Sequence, residues 1–216
     1  RADIVFSSYI HHLYGVDNPI NTLKSLYPSS KLVVDASQAI SRMPVNVKKL
    51  QCDALMFSAE KAGGLSGVGV LFIAKKHHKK IKQTIEPHSM PVVAVAALDS
   101  AISVLKSADI YSINRTLSTQ TSKIIESLNS IDGLSFTKGI GYPDNKCHGN
   151  GIVSFTIDGY DSKDIASFLD DNNIQVRAGD HCIDEKHQTR NVVRISSHIF
   201  NDDEQIDLLL QTLHHL

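Results

Sequence analysis

Short apolar runs alternate along this chain with segments whose apolar side chains recur every three or four positions, the texture of strands joined by helices. Ile4 to Phe6 reads as a buried strand with almost no lead-in. Asn21 to Tyr27 follows Pro19 as a short helical connection. Lys31-Leu-Val-Val-Asp35 is nearly continuous in apolar residues, as strands covered on both faces are. Ala54 to Phe57 predicts a third strand. Gly67 to Ile73 predicts a fourth, so close behind the third that it should run antiparallel to it. This first part therefore predicts an α/β arrangement built on a mainly parallel sheet.

A long helix is expected from Val92 to Ala108, apolar on most sides and so buried or acting as a spine. An amphipathic helix follows from Arg115 to Ile131, with Leu117, Ile124, Ile125 and Leu128 on its apolar positions and Asp132-Gly133 ending it. Beyond it the pattern becomes α+β. Strands are predicted at Leu134–Thr137, Gly151–Ile157, Ile174–Arg177 and Val192–Ser196. Helices are predicted at Ser162–Asn172 and Asp202–His214, the last with Ile206, Leu209, Leu210 and Leu213 on one stripe behind an Asn201 cap. The change of texture places a boundary within residues 106–115, giving domains 1–108 and 109–216.

Composition narrows the classes of function. The chain has 216 residues, 42% of them apolar and 21% charged, with a formal net charge of -1. That balance supplies no electrostatic reason to expect nucleic acid or an anionic membrane as partner. No apolar run approaches the ~20 residues that span a bilayer. Cys52, Cys147 and Cys182 are too few and too scattered for a disulfide scaffold, which favours a reducing compartment, the cytoplasm, and a free thiol where a thiol matters. The basic stretch Lys75 to Lys82 reads as a solvated face. The opening Arg1-Ala-Asp-Ile4, with no initiator Met and no signal pattern, suggests a piece of a longer chain.

Three features carry candidate chemistry. Asp35 ends a buried strand, where ligands of open α/β sheets bind, although it could equally cap the segment that follows. Lys61 follows another strand and precedes four glycines within eight residues, Gly63, Gly64, Gly67 and Gly69. Such a turn allows close backbone approach to a bulky ligand, and a Lys screened from water can form a Schiff base; an ordinary Gly-rich hairpin with a surface Lys fits the same residues. Third, Arg177-Ala-Gly-Asp-His181-Cys182 precedes Arg194. Cationic neighbours favour the reactive thiolate, and a guanidinium forks onto a carboxylate. A zinc site lacks the expected CxxC or HxxxH spacing, so no metal is expected.

In this order, the motifs resemble the class V branch of fold-type I pyridoxal phosphate enzymes, specifically cysteine desulfurases and selenocysteine lyases. Val33-Val-Asp35-Ala-Ser-Gln38 is similar to that family's strand-end Asp with its Gln three residues on. Ser58-Ala-Glu-Lys61 with its glycines resembles S-x-H-K and the Gly-rich turn. Arg177-x-Gly-x-His181-Cys182 resembles the R-x-G-x-H-C loop, and Arg194-Ile-Ser196 with Phe200-Asn201 the closing motif. The resemblance covers nearly the whole chain. It implies a partial, mixed-sheet, cofactor-binding large domain over 1–108 and a small α+β carboxyl-terminal domain over 109–216 that bears the Cys loop.

The resemblance also implies roles. Asp35 would pair with the pyridinium nitrogen and Gln38 with the ring hydroxyl; Ser58 would bind the phosphate. Lys61 would hold pyridoxal 5'-phosphate as a Schiff base and shuttle protons. Arg194 would grip the substrate carboxylate. Cys182 would take sulfur or selenium as a persulfide, leaving alanine, while Arg177 and His181 would favour its thiolate or hold its loop. A homodimer and a sulfur-acceptor protein are the implied partners, with a small amino acid as substrate. Three positions depart from the family pattern. Glu60 replaces a phosphate-binding His, His12 stands where an Asn usually touches the ring hydroxyl, and Glu86 to Pro91 replaces a G-T-P turn that reaches the neighbouring subunit's phosphate, with Ser89 its only hydroxyl. The family's phosphate-wrapping turn and ring-stacking side chain have no counterpart in these residues, so the chain looks like the carboxyl-terminal portion. Another class V aminotransferase or epimerase, or a degenerate non-catalytic relative, are the competing readings.

Overall fold

The computed structural model describes residues 2–78, 90–137, 149–179, 181 and 191–216. The chain divides into two units, Arg1–His11 with Asp17–Ile113, and His12–Val16 with Asn114–Leu216.

In the first unit four strands lie in the order β1-β2-β3-β4. Strands β1 (Ile4–Ser8), β2 (Lys31–Asp35) and β3 (Ala54–Ser58) are parallel, and β4 (Gly69–Ile73) runs antiparallel to β3, as its short connection requires. Helices α1 (Ile20–Leu26) and α2 (Val47–Leu50) lie in the two parallel crossovers. The closed face of the sheet is built from Leu32, Val34 and Leu55, each buried. The opposite face is only partly covered, so the reading of β2 as buried on both faces holds for one alone. Strand β1 departs further: Ile4 and Phe6 are 60% and 61% exposed. β1 is the edge of the sheet, and no described element covers that face.

Helix α3 (Val92–Ser107) packs by a single stripe, Ala94 and Leu98, with Leu98 against Ala59 and Ala62 of the turn that follows β3. Val92, Val93 and Val104 are exposed, so the expected spine is buried on one side only among the described residues. A break at Ala108 and Asp109 separates it from α4 (Ile110–Leu128), where the carboxylate of Asp109 accepts from Tyr111 N and Ser112 Oγ. That local cap starts α4 five residues before the apolar periodicity becomes visible.

The second unit is an antiparallel sheet in the order β5-β6-β8-β7, from β5 (Leu134–Phe136), β6 (Ile152–Ile157), β7 (Arg177–Gly179) and β8 (Val192–Ser196). Helices α5 (Ser162–Asp171) and α6 (Asp203–Leu213) cover it together with the later turns of α4. Phe155, Leu128, Leu169 and Leu213 sit at the centre of this core, with the Ile206–Leu213 stripe buried as its periodicity predicts. Two local expectations are corrected. Ile174 and Val176 pack on the core without ladder bonds, and the strand begins only at Arg177, where pairing with β8 becomes available. The cap of α6 is Asp202, whose carboxylate accepts from Gln205 N at 2.8 Å; Asn201 instead accepts from His198 N. No helix among the described residues is long and apolar enough to cross a membrane.

Candidate active site

The carboxyl ends of β2 and β3 bring the candidate residues of the first unit together. Asp35 closes β2, its carbonyl accepting from Tyr9 N at 2.7 Å, while Ala36 N donates to Met56 O at 2.8 Å. Its carboxylate Oδ1 accepts from Ser37 N at 2.8 Å, so the side chain does order the turn that follows, while staying half-buried at the strand end. Ser37 returns the favour to β3, its hydroxyl accepting from Ser58 N at 3.2 Å. Gln38 is half-buried on the same turn.

Beyond Ser58 the chain makes a 3-10 turn, Ala59–Ala62, closed by Gly63 at φ +92°. The buried Ala59 and Ala62 point this turn's small side chains inward and leave Lys61 exposed. The Lys61 carbonyl is fixed by the buried Ser41, whose hydroxyl donates to it at 2.7 Å. A Cβ on Gly64 would come within 3.1 Å of the Ala59 carbonyl and 3.2 Å of the Leu98 Cα, which explains this glycine by close packing. Glu60 is exposed and its Oε2 accepts from Ser66 Oγ at 2.9 Å.

The first unit also holds a charge cluster that sequence reading missed. Asp53, 4% exposed, accepts from Leu32 N at 2.9 Å and pairs with Lys24 at 3.5 Å, His77 at 2.9 Å and Lys76. Burial alone would raise its pKa; the bonds from Lys76, His77 and Leu32 N outweigh it and hold the carboxyl well below the usual range. The basic stretch is thus corrected in part: Lys76 and His77 clamp the sheet, while 79–82 lie outside the described residues. Cys52, next to Asp53, is free and buried, and burial raises its pKa, so it is a poor nucleophile.

In the second unit Arg194 lies mid-strand in β8, directly opposite Arg177 of β7. Burial, and then the Arg177 charge, lower the Arg194 pKa. Its Nη1 donates to the His12 carbonyl at 3.0 Å, while Nε is buried without a hydrogen-bond partner among the described residues. His181 is 2% exposed, and its Nε2 donates to Val192 O at 3.0 Å. Its pKa is lowered first by burial and then by the charges of Arg194, Arg177 and His12. His12 Nε2 bonds the His181 carbonyl at 3.0 Å. Arg177 is exposed. Cys182 and Ser89 lie outside the described residues. Ser41 and Asp53 gave no sequence signal, being a turn Ser and an isolated acid; Ser37 could have been noticed inside the Asp-Ala-Ser-Gln run.

A parallel strand ending in Asp, followed across the sheet by a Lys-bearing turn, with a separate antiparallel α+β unit, is the fold of type I pyridoxal phosphate-dependent transferases. The family model for aminotransferase class-V matches residues 1–209, and the chain belongs to that family, whose members depend on pyridoxal phosphate. A probable cysteine desulfurase of Halalkalibacterium halodurans is 25% identical over 99% of this chain and 58% of its own length. One from Pyrococcus abyssi is 27% identical over 100% of this chain and 60% of its own. The apo structure of a cysteine desulfurase from Thermococcus onnurineus NA1 superposes with a TM-score of 0.88 at 24% identity, covering 99% of this chain and 59% of that one. The chain therefore spans about three-fifths of the relatives it matches.

Proposed function

We propose that this chain works as part of a cysteine desulfurase, removing sulfur, or selenium, from L-cysteine or selenocysteine to give alanine and a persulfide on Cys182. The observation that carries the reading is the exposed Lys61 on a rigid turn one strand over from the half-buried carboxylate of Asp35. The donor set fits pyridoxal phosphate: a carboxylate for a pyridinium nitrogen, a primary amine for an aldehyde, and the Ser58 hydroxyl for a phosphate. When bound, the cofactor supplies an electron sink for the substrate's alpha carbon. Asp35 would keep the ring nitrogen protonated, and Gln38 would meet the ring hydroxyl. Lys61 would hold the cofactor covalently and then move the proton at the alpha carbon. Arg194 would orient the substrate by its carboxylate, its planar fork suited to two parallel hydrogen bonds. Cys182 would accept the sulfur as a thiolate, and the persulfide would pass to an acceptor protein. A cytoplasmic homodimer is the setting that the family resemblance and the free Cys52 favour.

Borohydride reduction of the full-length protein loaded with pyridoxal phosphate, followed by peptide mapping, should place the label on Lys61. A label on another lysine would contradict the assignment.

A further inference from the structure

The segment His12–Val16 belongs to the second unit, although its flanking residues belong to the first. Its carbonyls are caught there. Ser154 Oγ donates to Leu13 O at 2.6 Å, Asn150 Nδ2 to Gly15 O at 2.8 Å, and Arg194 Nη1 to His12 O at 3.0 Å. Leu13, Tyr14 and Val16 are buried together with Val192 of β8. Gly15, at φ +59°, lies so close to Ile152 that a Cβ would collide with its carbonyl. The chain at residue 12 is therefore anchored on the second unit through the residues that follow it.

From that anchor the His12 ring reaches the His181 carbonyl. His181 itself takes the left-handed conformation, φ +50°, which is unfavourable for an L-residue and persists only where its surroundings hold it. Two bonds hold it among the described residues: the His12 ring on its carbonyl, and its own ring on Val192 O. The contacts close a circuit. Arg194 holds the His12 carbonyl, His12 holds His181, His181 holds Val192, and two residues of β8 lead from Val192 back to Arg194.

We propose that His12 and His181 are positioning residues for Arg194: the His12 main-chain carbonyl, steadied through the His12–His181–Val192 bonds, holds the Nη1 corner of the guanidinium so that the buried Nε–H edge is presented to an anionic ligand. The identity of that ligand as an amino-acid carboxylate rests on the desulfurase reading above. A buried N–H left unpaired is costly, so an edge held this way is matched to an incoming acceptor. The state of His181 supports the arrangement. The charged groups facing it are Arg194, Arg177 and His12, and burial together with these charges lowers its pKa and so favours the neutral ring, with Nε2–H donated to Val192 O. Its Nδ1 is buried with no hydrogen-bond partner among the described residues, so a second proton there would gain no acceptor among them.

The test uses the full-length protein loaded with pyridoxal phosphate, with His12→Ala and His12→Gln variants. His12→Ala should raise KM for L-cysteine about tenfold with kcat within about twofold, the cost of one lost hydrogen bond expressed in ligand binding alone. His12→Gln, which keeps an N–H donor, should recover most of the loss. An unchanged KM, or a fall in kcat at constant KM, would overturn the proposal. A second reading does not depend on turnover: with 15N-labelled Arg and His, the Arg194 Nε–H resonance should move in His12→Ala and not in His12→Gln. If wild-type protein releases no alanine from L-cysteine, the desulfurase reading falls and the resonance alone decides; an unmoved Arg194 signal in His12→Ala then rejects the positioning role.

Discussion

The two units fix their chemistry by opposite means. In the first, the backbone is held and the candidate side chain is exposed: Ser41 grips the Lys61 carbonyl, Ser37 grips the amide of Ser58, and the Lys61 side chain is exposed. Those bonds span 20 and 21 residues of sequence. In the second unit the functional group itself is held. The Arg194 guanidinium is bonded to a carbonyl 182 positions away, and His12 reaches His181 across 169. A covalently attached cofactor needs an amine that can reach and move, whereas a carboxylate grip needs a fork already aimed. Under the proposed function, the difference in anchoring follows the difference in task.

The comparison breaks most visibly at Lys61. Lys61→Ala should abolish covalent capture of the cofactor and lower turnover by at least about a thousandfold, with the unfolding midpoint nearly unchanged because the side chain is exposed. Retained borohydride labelling in this variant would show that another lysine does the work.

Next in size is Asp53, which anchors the first unit through charge. Asp53→Asn should cost about 2 kcal/mol by urea unfolding at neutral pH, discounted because Lys76 is largely exposed. Its folded pKa is depressed, so its contribution is present above the ordinary carboxylate range and lost as pH falls through the folded value. The gap between wild type and variant should therefore close in acid. A gap that stays constant with pH would deny the electrostatic origin.

A smaller pH effect belongs to the second unit. The lowered pKa of His181 means that the unfolded chain binds the proton first, so stability is full above the ordinary histidine range and falls as pH drops below it. The slope is at most about 1.4 kcal/mol per pH unit. His181→Gln should flatten that slope, and an unchanged slope would locate the titration elsewhere.

The smallest effect is expected at Glu60. Because its carboxylate is exposed and engaged by Ser66, Glu60→His should change cofactor retention by no more than about threefold, measured by dialysis and absorbance. A large tightening would mean that the carboxylate does face the phosphate.

Legibility divides along the same line. Strands β2 and β8 could be read to the residue from their apolar runs, and the antiparallel return of β4 from its short connection. Asp35 and Lys61 could be singled out as candidates because strand end, turn glycines and a lysine are neighbours in sequence. What escaped was set by distant partners. Ile4 and Phe6 look buried because the pattern reports what a strand can bury, not what lies over it. Asp53 gave no signal because its cations come from Lys24 on one side and Lys76 and His77 on the other. The grip of His12 on His181 could not be inferred either, since nothing local marks a turn histidine as belonging to the second unit.

The proposed reaction needs both the Cys182 thiol and the Lys61 amine, and Cys182→Ala in the full-length protein separates their roles. Cofactor absorbance, and alanine and sulfide released from L-cysteine under reducing conditions, are measured side by side in wild type and variant. The account predicts that the absorbance is retained while alanine and sulfide release falls to background, because the cofactor is held by Lys61 and the sulfur has lost its acceptor. Undiminished release of alanine and sulfide from the Cys182→Ala protein would contradict it.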